Sequence, residues 1–217
     1  MTLLLTGAGS TGAGGDPHPA AAGSTFVNDT FTGSDAVTLA SHTGETGATW
    51  TSHATGGGVA YQIQTNRVRA TTNGVGFYHA SGVPSTAEYD VLGDLYFASA
   101  VVDSSAVAAR INTAADTAYF GGYQSTTTKW ILWKRVAGAT TVIASSNVVS
   151  LTPGQTYSLR LAIRDAWKGL YVDSVLVVED IADNTITAKG VAGFRGSVGT
   201  AGAAVGIQYA RLWAINV

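Results

Sequence analysis

The stretch TYSLRLAIRDAWKGLYVDSVLVVED, Thr156 to Asp180, constrains the fold more than any other part of the chain. Tyr157, Leu159, Leu161 and Ile163 fall on one parity, and Ser158, Arg160 and Arg164 on the other. Successive strand side chains point to opposite faces, so this alternation specifies a strand with one buried and one wet face. Asp165 and Ala166 break the pattern, and Leu170 and Val172 share a face of the next strand. Asp173-Ser174 has the chemistry of a tight turn, from which Val175 to Val178 return. Three short strands cannot bury their apolar face alone. The rest of the chain must supply an opposing sheet.

It contains the strands to do so. Phe26 to Phe31, Ala36 to Leu39, Tyr61 to Ile63, Arg67 to Thr71 and Gly76 to His79 read as short strands, with Thr65-Asn66 and Asn73-Gly74 as turns. Glu88 to Val102 reads as a long strand whose inner face carries Tyr89, Val91, Leu95, Phe97 and Val101. Val107 to Asn112, Ala118 to Tyr123, Lys129 to Val136 and Thr140 to Ala144 continue the series, and Val191 to Arg195 and Gly206 to Ile215 close it. Many short strands without a helical period specify an all-β antiparallel sandwich or barrel. At 217 residues, one sandwich accommodates the chain.

Two regions are expected. Residues 1–24 are a Gly/Ala-rich arm, and residues 25–217 are the sandwich. Ordering each arm residue costs roughly 1–2 kcal/mol of backbone entropy, and three leucines cannot offset that. The arm therefore needs a surface, either a neighbouring subunit or partner protein, or its own domain. Leu3-Leu4-Leu5 lacks the basic flank and long apolar core of a signal peptide.

Only 12% of residues are charged, and the net charge is −2, with Lys134-Arg135 as the one adjacent basic pair. No basic stripe exists to neutralise phosphates, which argues against nucleic-acid binding. The absence of cysteine excludes disulfides, thiolate metal sites and a Cys nucleophile. No apolar run approaches the roughly 18 residues of a spanning helix, so membrane insertion is not expected.

Several motifs resemble concanavalin A-like (laminin G-like) jelly-roll domains, especially those of tailed-phage virion proteins. They are F-x-N-D-T-F at Phe26 to Phe31, W-x-L-W-K at Trp130 to Lys134, G-x-T-Y-S-L-R-L at Gly154 to Leu161, Y-V-D-S at Tyr171 to Ser174, and Gly193-Phe194-Arg195. The likeness covers about residues 25 to 217, with Ser174 standing where the family usually has glycine. It implies a two-sheet jelly-roll β-sandwich. It further implies a structural protein on the exterior of a tailed-phage virion, a capsid decoration or head/tail accessory protein. Its partners would be other virion proteins and further copies of itself. The alternative is a lectin-like module for host surface glycans.

Hydrolytic relatives of the fold carry Glu-x-Asp-x-Glu on one strand. Here Glu88 and Asp90 match, but Leu92 replaces the third acid. Glycoside cleavage needs two carboxyl groups flanking the bond, so the chain is expected not to be an enzyme. No cofactor motif is present. Asp180 and Asp183, in a loop of hard oxygen ligands, are an alternative structural calcium site. For a glycan surface, Tyr119, Tyr123 and Trp130 are the candidate stacking rings.

Overall fold

The computed structural model describes residues 18–99, 103–199 and 206–217. Among them, two antiparallel sheets face each other. The eight-stranded sheet runs β13 (Val175–Asp180), β12 (Trp167–Val172), β11 (Gln155–Arg164), β6 (Tyr89–Phe97), β15 (Ile207–Asn216), β4 (Val68–Ala70) and β3 (Tyr61–Ile63), with β1 (Thr25–Asp29) also paired to β15. The seven-stranded sheet runs β10 (Ala139–Val148), β9 (Lys129–Val136), β8 (Thr117–Gln124), β7 (Ser104–Asn112), β14 (Val191–Val198), β5 (Gly74–Ala80) and β2 (Trp50–Ser52). This is the expected jelly-roll sandwich. One expected strand is absent, because Ala36 to Leu39 forms a turn leading into a single 3-10 turn, Leu39–Ser41. Val101 of the long strand lies outside the described residues.

The core fills from the inward parity of both sheets. Tyr157, Leu159, Leu161 and Ile163 of β11 pack against Tyr119, Leu132 and Val107 in one cluster. Phe194 is an aromatic hub, with ring centroids 5.6 Å from Trp50, 5.3 Å from Tyr61 and 4.3 Å from Tyr209. The buried Tyr209 hydroxyl reaches the carbonyls of Ala106 at 3.2 Å and Arg195 at 3.0 Å, so an apolar core still meets this polar group's needs. Burial pushes the Tyr209 pKa up.

Asp29, at the end of β1, is fully buried. Its carboxylate accepts the Phe31 amide at 2.6 Å and the Trp50 indole N–H at 2.6 Å, and His42 Nε2 lies 2.9 Å away. Phe31 is held at φ 52°, a left-handed conformation unusual for a bulky residue.

The outer face of β11 differs from expectation. Ser158 is exposed as expected, but the face from Arg160 to Arg164 is not wet, because residues 18–24 lie across it. The Ala21 amide donates to Asp90 Oδ2 at 2.8 Å, Arg160 Nη1 donates to the His18 carbonyl at 2.9 Å, and the His18 ring stacks on Trp167 at 3.8 Å. Asp90 is fully buried beneath this segment, with Arg164 Nη1 at 2.7 Å and Arg160 Nη1 at 3.5 Å. The described end of the arm therefore packs on its own sandwich. Residues 1–17, and with them the rest of the expected docking arm, lie outside the described residues.

The Asp173-Ser174 turn has both residues at positive φ, 49° and 68°, between the paired Val172 and Val175. This is the I′ hairpin pattern, which favours glycine at its second position. Serine there carries a Cβ penalty. Ser174→Gly should raise stability by about 0.5–1 kcal/mol, read as a higher urea midpoint. A lower midpoint would show that Ser174 is not strained.

Candidate functional site

The outward face of the seven-stranded sheet departs most from a solvated surface. Register places Arg195 of β14 between Phe77 of β5 and Ala106 of β7. It places Phe120 of β8 between Ala108 and Trp133 of β9, and Val142 of β10 beside Trp133. Opposed residues share a face. Phe77, Ala106, Ala108, Ala118 and Phe120 form a buried cluster there, separate from the core, with Trp133 packed on it. The Trp133 ring stacks on Phe120 at 5.2 Å and 13° and remains partly exposed. Trp133 is thus the ring of this group that still presents an apolar face to solvent.

Between the strands the floor stays low because the residues are small. A Cβ on Gly122 would overlap the Ser105 carbonyl and press on Ala106 Cβ at 2.7 Å. At one end the loop after β2 covers Phe77. The His53 amide donates to the Phe77 carbonyl at 2.8 Å, and the two rings stack at 4.6 Å. What remains is a trough of about 290 Å³, lined among others by Ser104, Gln124, Trp133, Arg135, Arg195 and Ser197.

Its charged groups are fixed in different ways. Arg135 grips Asp116 with Nε at 2.9 Å and Nη2 at 2.5 Å, and its Nη1 donates to Thr140 Oγ1 at 3.0 Å. That bidentate geometry locks the guanidinium plane. Arg195 lies 5.7 Å from the Phe77 ring centroid and 6.0 Å from that of Phe120. Burial, and then the nearby Arg135, pull the Arg195 pKa down.

A second depression of about 320 Å³ lies at one end of the sandwich, beside Arg110, Asn112, Ile186 and Lys189. Its main cation is already used, since Arg110 donates to the carbonyls of Ala87 and Ile186. The trough is the better site.

The rings singled out from sequence pack in the core, and of the three Tyr123 also borders the trough. Tyr119, Tyr123 and Trp130 are 0%, 6% and 4% exposed and sit in the inter-sheet core. Trp130 and Tyr123 pack edge-on at 5.5 Å, and the Tyr119 hydroxyl donates to Asp183 at 2.7 Å. The correction follows from parity, because Trp133 and Arg135 occupy the outward positions of β9. Nothing in KWILWKRV distinguishes the parities, since both carry large apolar residues.

The calcium alternative is corrected too. Asp183 pairs with the Lys134 ammonium and accepts from the Tyr119 hydroxyl and the Thr185 amide, so the cation facing it belongs to the chain itself. Burial alone would raise the Asp183 pKa, but those hydrogen bonds outweigh it and hold the carboxyl well below the usual range. Asp180 caps its own turn, accepting the amides of Ala182 at 3.2 Å and Asp183 at 2.6 Å. Lys168 is buried beside them, and burial, then Arg110, push its pKa down to about 8.

No family model matches the chain, and no curated protein matches it. Solved structures do. A carbohydrate-binding module, CBM66, from Bacillus subtilis is 16% identical over 76% of this chain and 90% of its own, with a TM-score of 0.58. A Bacillus subtilis protein of unknown function with a galectin-like fold is 11% identical over 89% and 96%, with a TM-score of 0.55. The β-glucanase of Bacillus licheniformis is 10% identical over 89% and 98%, with a TM-score of 0.54.

The last of these corrects the expectation that the chain is not an enzyme. A glucanase shares this sandwich, so the architecture does not set the chain apart from catalytic proteins. At these identities the likeness establishes the fold, a two-sheet antiparallel jelly-roll sandwich.

Proposed function

We propose that the trough on the seven-stranded sheet binds carbohydrate. The observation that carries this is Trp133. Its indole is partly exposed and seated on Phe120, in a trough whose lining also carries the hydrogen-bonding side chains of Gln124, Ser104 and Ser197. Sugars present an apolar ring face and a rim of hydroxyls, which a rigid aromatic platform with a polar surround complements. A carbohydrate-binding module of the same fold supports this reading. The phage-particle reading draws no comparable support from the solved structures of the same fold.

A glycan array on the full chain, followed by titration of its best hit, tests the proposal. Trp133→Ala should weaken that binding at least tenfold, equivalent to about 1.4 kcal/mol, while Trp133→Phe keeps most of it. Unchanged affinity in a folded Trp133→Ala protein would remove the trough from consideration. Trp130→Ala is no substitute, because Trp130 belongs to the core.

A further inference from the structure

We propose that the sugar held in the trough is acidic, a uronate or sulfated residue, with its anion on the Arg195 guanidinium and its ring on Trp133. This rests on the carbohydrate-binding reading of the trough and names the ligand class. Arg195 Nη1 is buried and has no hydrogen-bond partner among the described residues. An unpaired buried donor, above all on a cation, is costly, and such groups in folded proteins call for an explanation. A ligand oxyanion supplies one, because a guanidinium is built to meet a carboxylate or sulfate with two parallel N–H donors.

The surroundings favour an anion from outside. Asp116 is the carboxylate at this end of the trough, and Arg135 already holds both of its oxygens. The residues lining the trough include two arginines and no aspartate or glutamate. One guanidinium is thus neutralised and the other is not, leaving a positive local potential on a chain whose net charge is −2. The side chain that carries the unpaired group lines the trough and is held in place. Arg195 sits near the faces of Phe77 and Phe120, which restricts its plane. Reach is suitable too. The Phe120 ring lies 6.0 Å from Arg195 Cζ and 5.2 Å from the Trp133 ring, so one or two adjacent sugars span both contacts.

The test uses the full chain at physiological salt and two matched pairs of polymers. These are polygalacturonate against its fully methyl-esterified form, and dextran sulfate against dextran. At least one acidic polymer should bind tenfold or more tightly than its neutral counterpart, and the pair that discriminates identifies carboxylate or sulfate as the anion. Arg195→Met should reduce the acidic polymer to the neutral level. If that variant does not fold, Arg195→Lys, which keeps the charge and loses the fork, should still lower the preference at least threefold. Equal binding within both pairs, or no binding to any of the four by a chain that binds neutral sugars on the array, overturns the acidic ligand and leaves the trough a carbohydrate site. An acid preference that survives folded Arg195 variants overturns the assignment of Arg195. Silence on the array as well overturns both readings.

Discussion

Asp29→Ala should lower the unfolding free energy by about 4 kcal/mol, because it leaves buried donors without their acceptor. The Asp29 carboxylate gathers the Phe31 amide, the Trp50 indole N–H and the His42 ring. Those groups come from the end of β1, the start of β2 and the segment after the 3-10 turn, so one side chain joins three parts of the chain with little regular pairing between them. It also holds Phe31 at its positive φ. For a denaturation slope of about 2 kcal/mol/M, the urea midpoint should fall by about 2 M. Trp50→Phe removes one donor, so the cost of Asp29→Ala should shrink in that background. A midpoint change below about 0.5 M would mean that water replaces the carboxylate and that the site is not dry.

Asp90→Ala should cost about 3–5 kcal/mol by a different route. It leaves Arg160 and Arg164 facing each other on a covered sheet face without the carboxylate between them. It also frees the Ala21 amide, so exchange at that amide should speed up by more than global destabilisation explains. Replacing the whole group with Asp90→Leu, Arg160→Met and Arg164→Met should recover much of the loss, since well-packed apolar side chains often match a buried ion pair. If the single and triple variants are equally unstable, the charges are not the cause.

Much of the sandwich was legible because strand alternation is a strong signal. Tyr157 to Ile163 point inward as their parity requires, and the Asp173-Ser174 turn falls where the pattern breaks. Ala36 to Leu39 misled because two strand-favouring residues, Val37 and Thr38, are too few to outweigh a local turn. The site was harder to read. Which outer face stays open depends on the path of residues 18–24, which cover Arg160 and Asp90 on the eight-stranded sheet. Trp133 and Arg195 meet over Phe120 only through the order β9-β8-β7-β14, and strand order is not written in local sequence.

The pairing of β1 with β15 brings the two ends of the domain together, with Ser24 accepting the Asn216 amide at 3.0 Å and Gly23 donating back at 3.1 Å. Both ends leave from the layer opposite the trough. A purification tag or surface linker appended after Val217 should therefore orient the molecule with Trp133 turned toward solution, and chips or beads prepared in that way should retain full capture capacity.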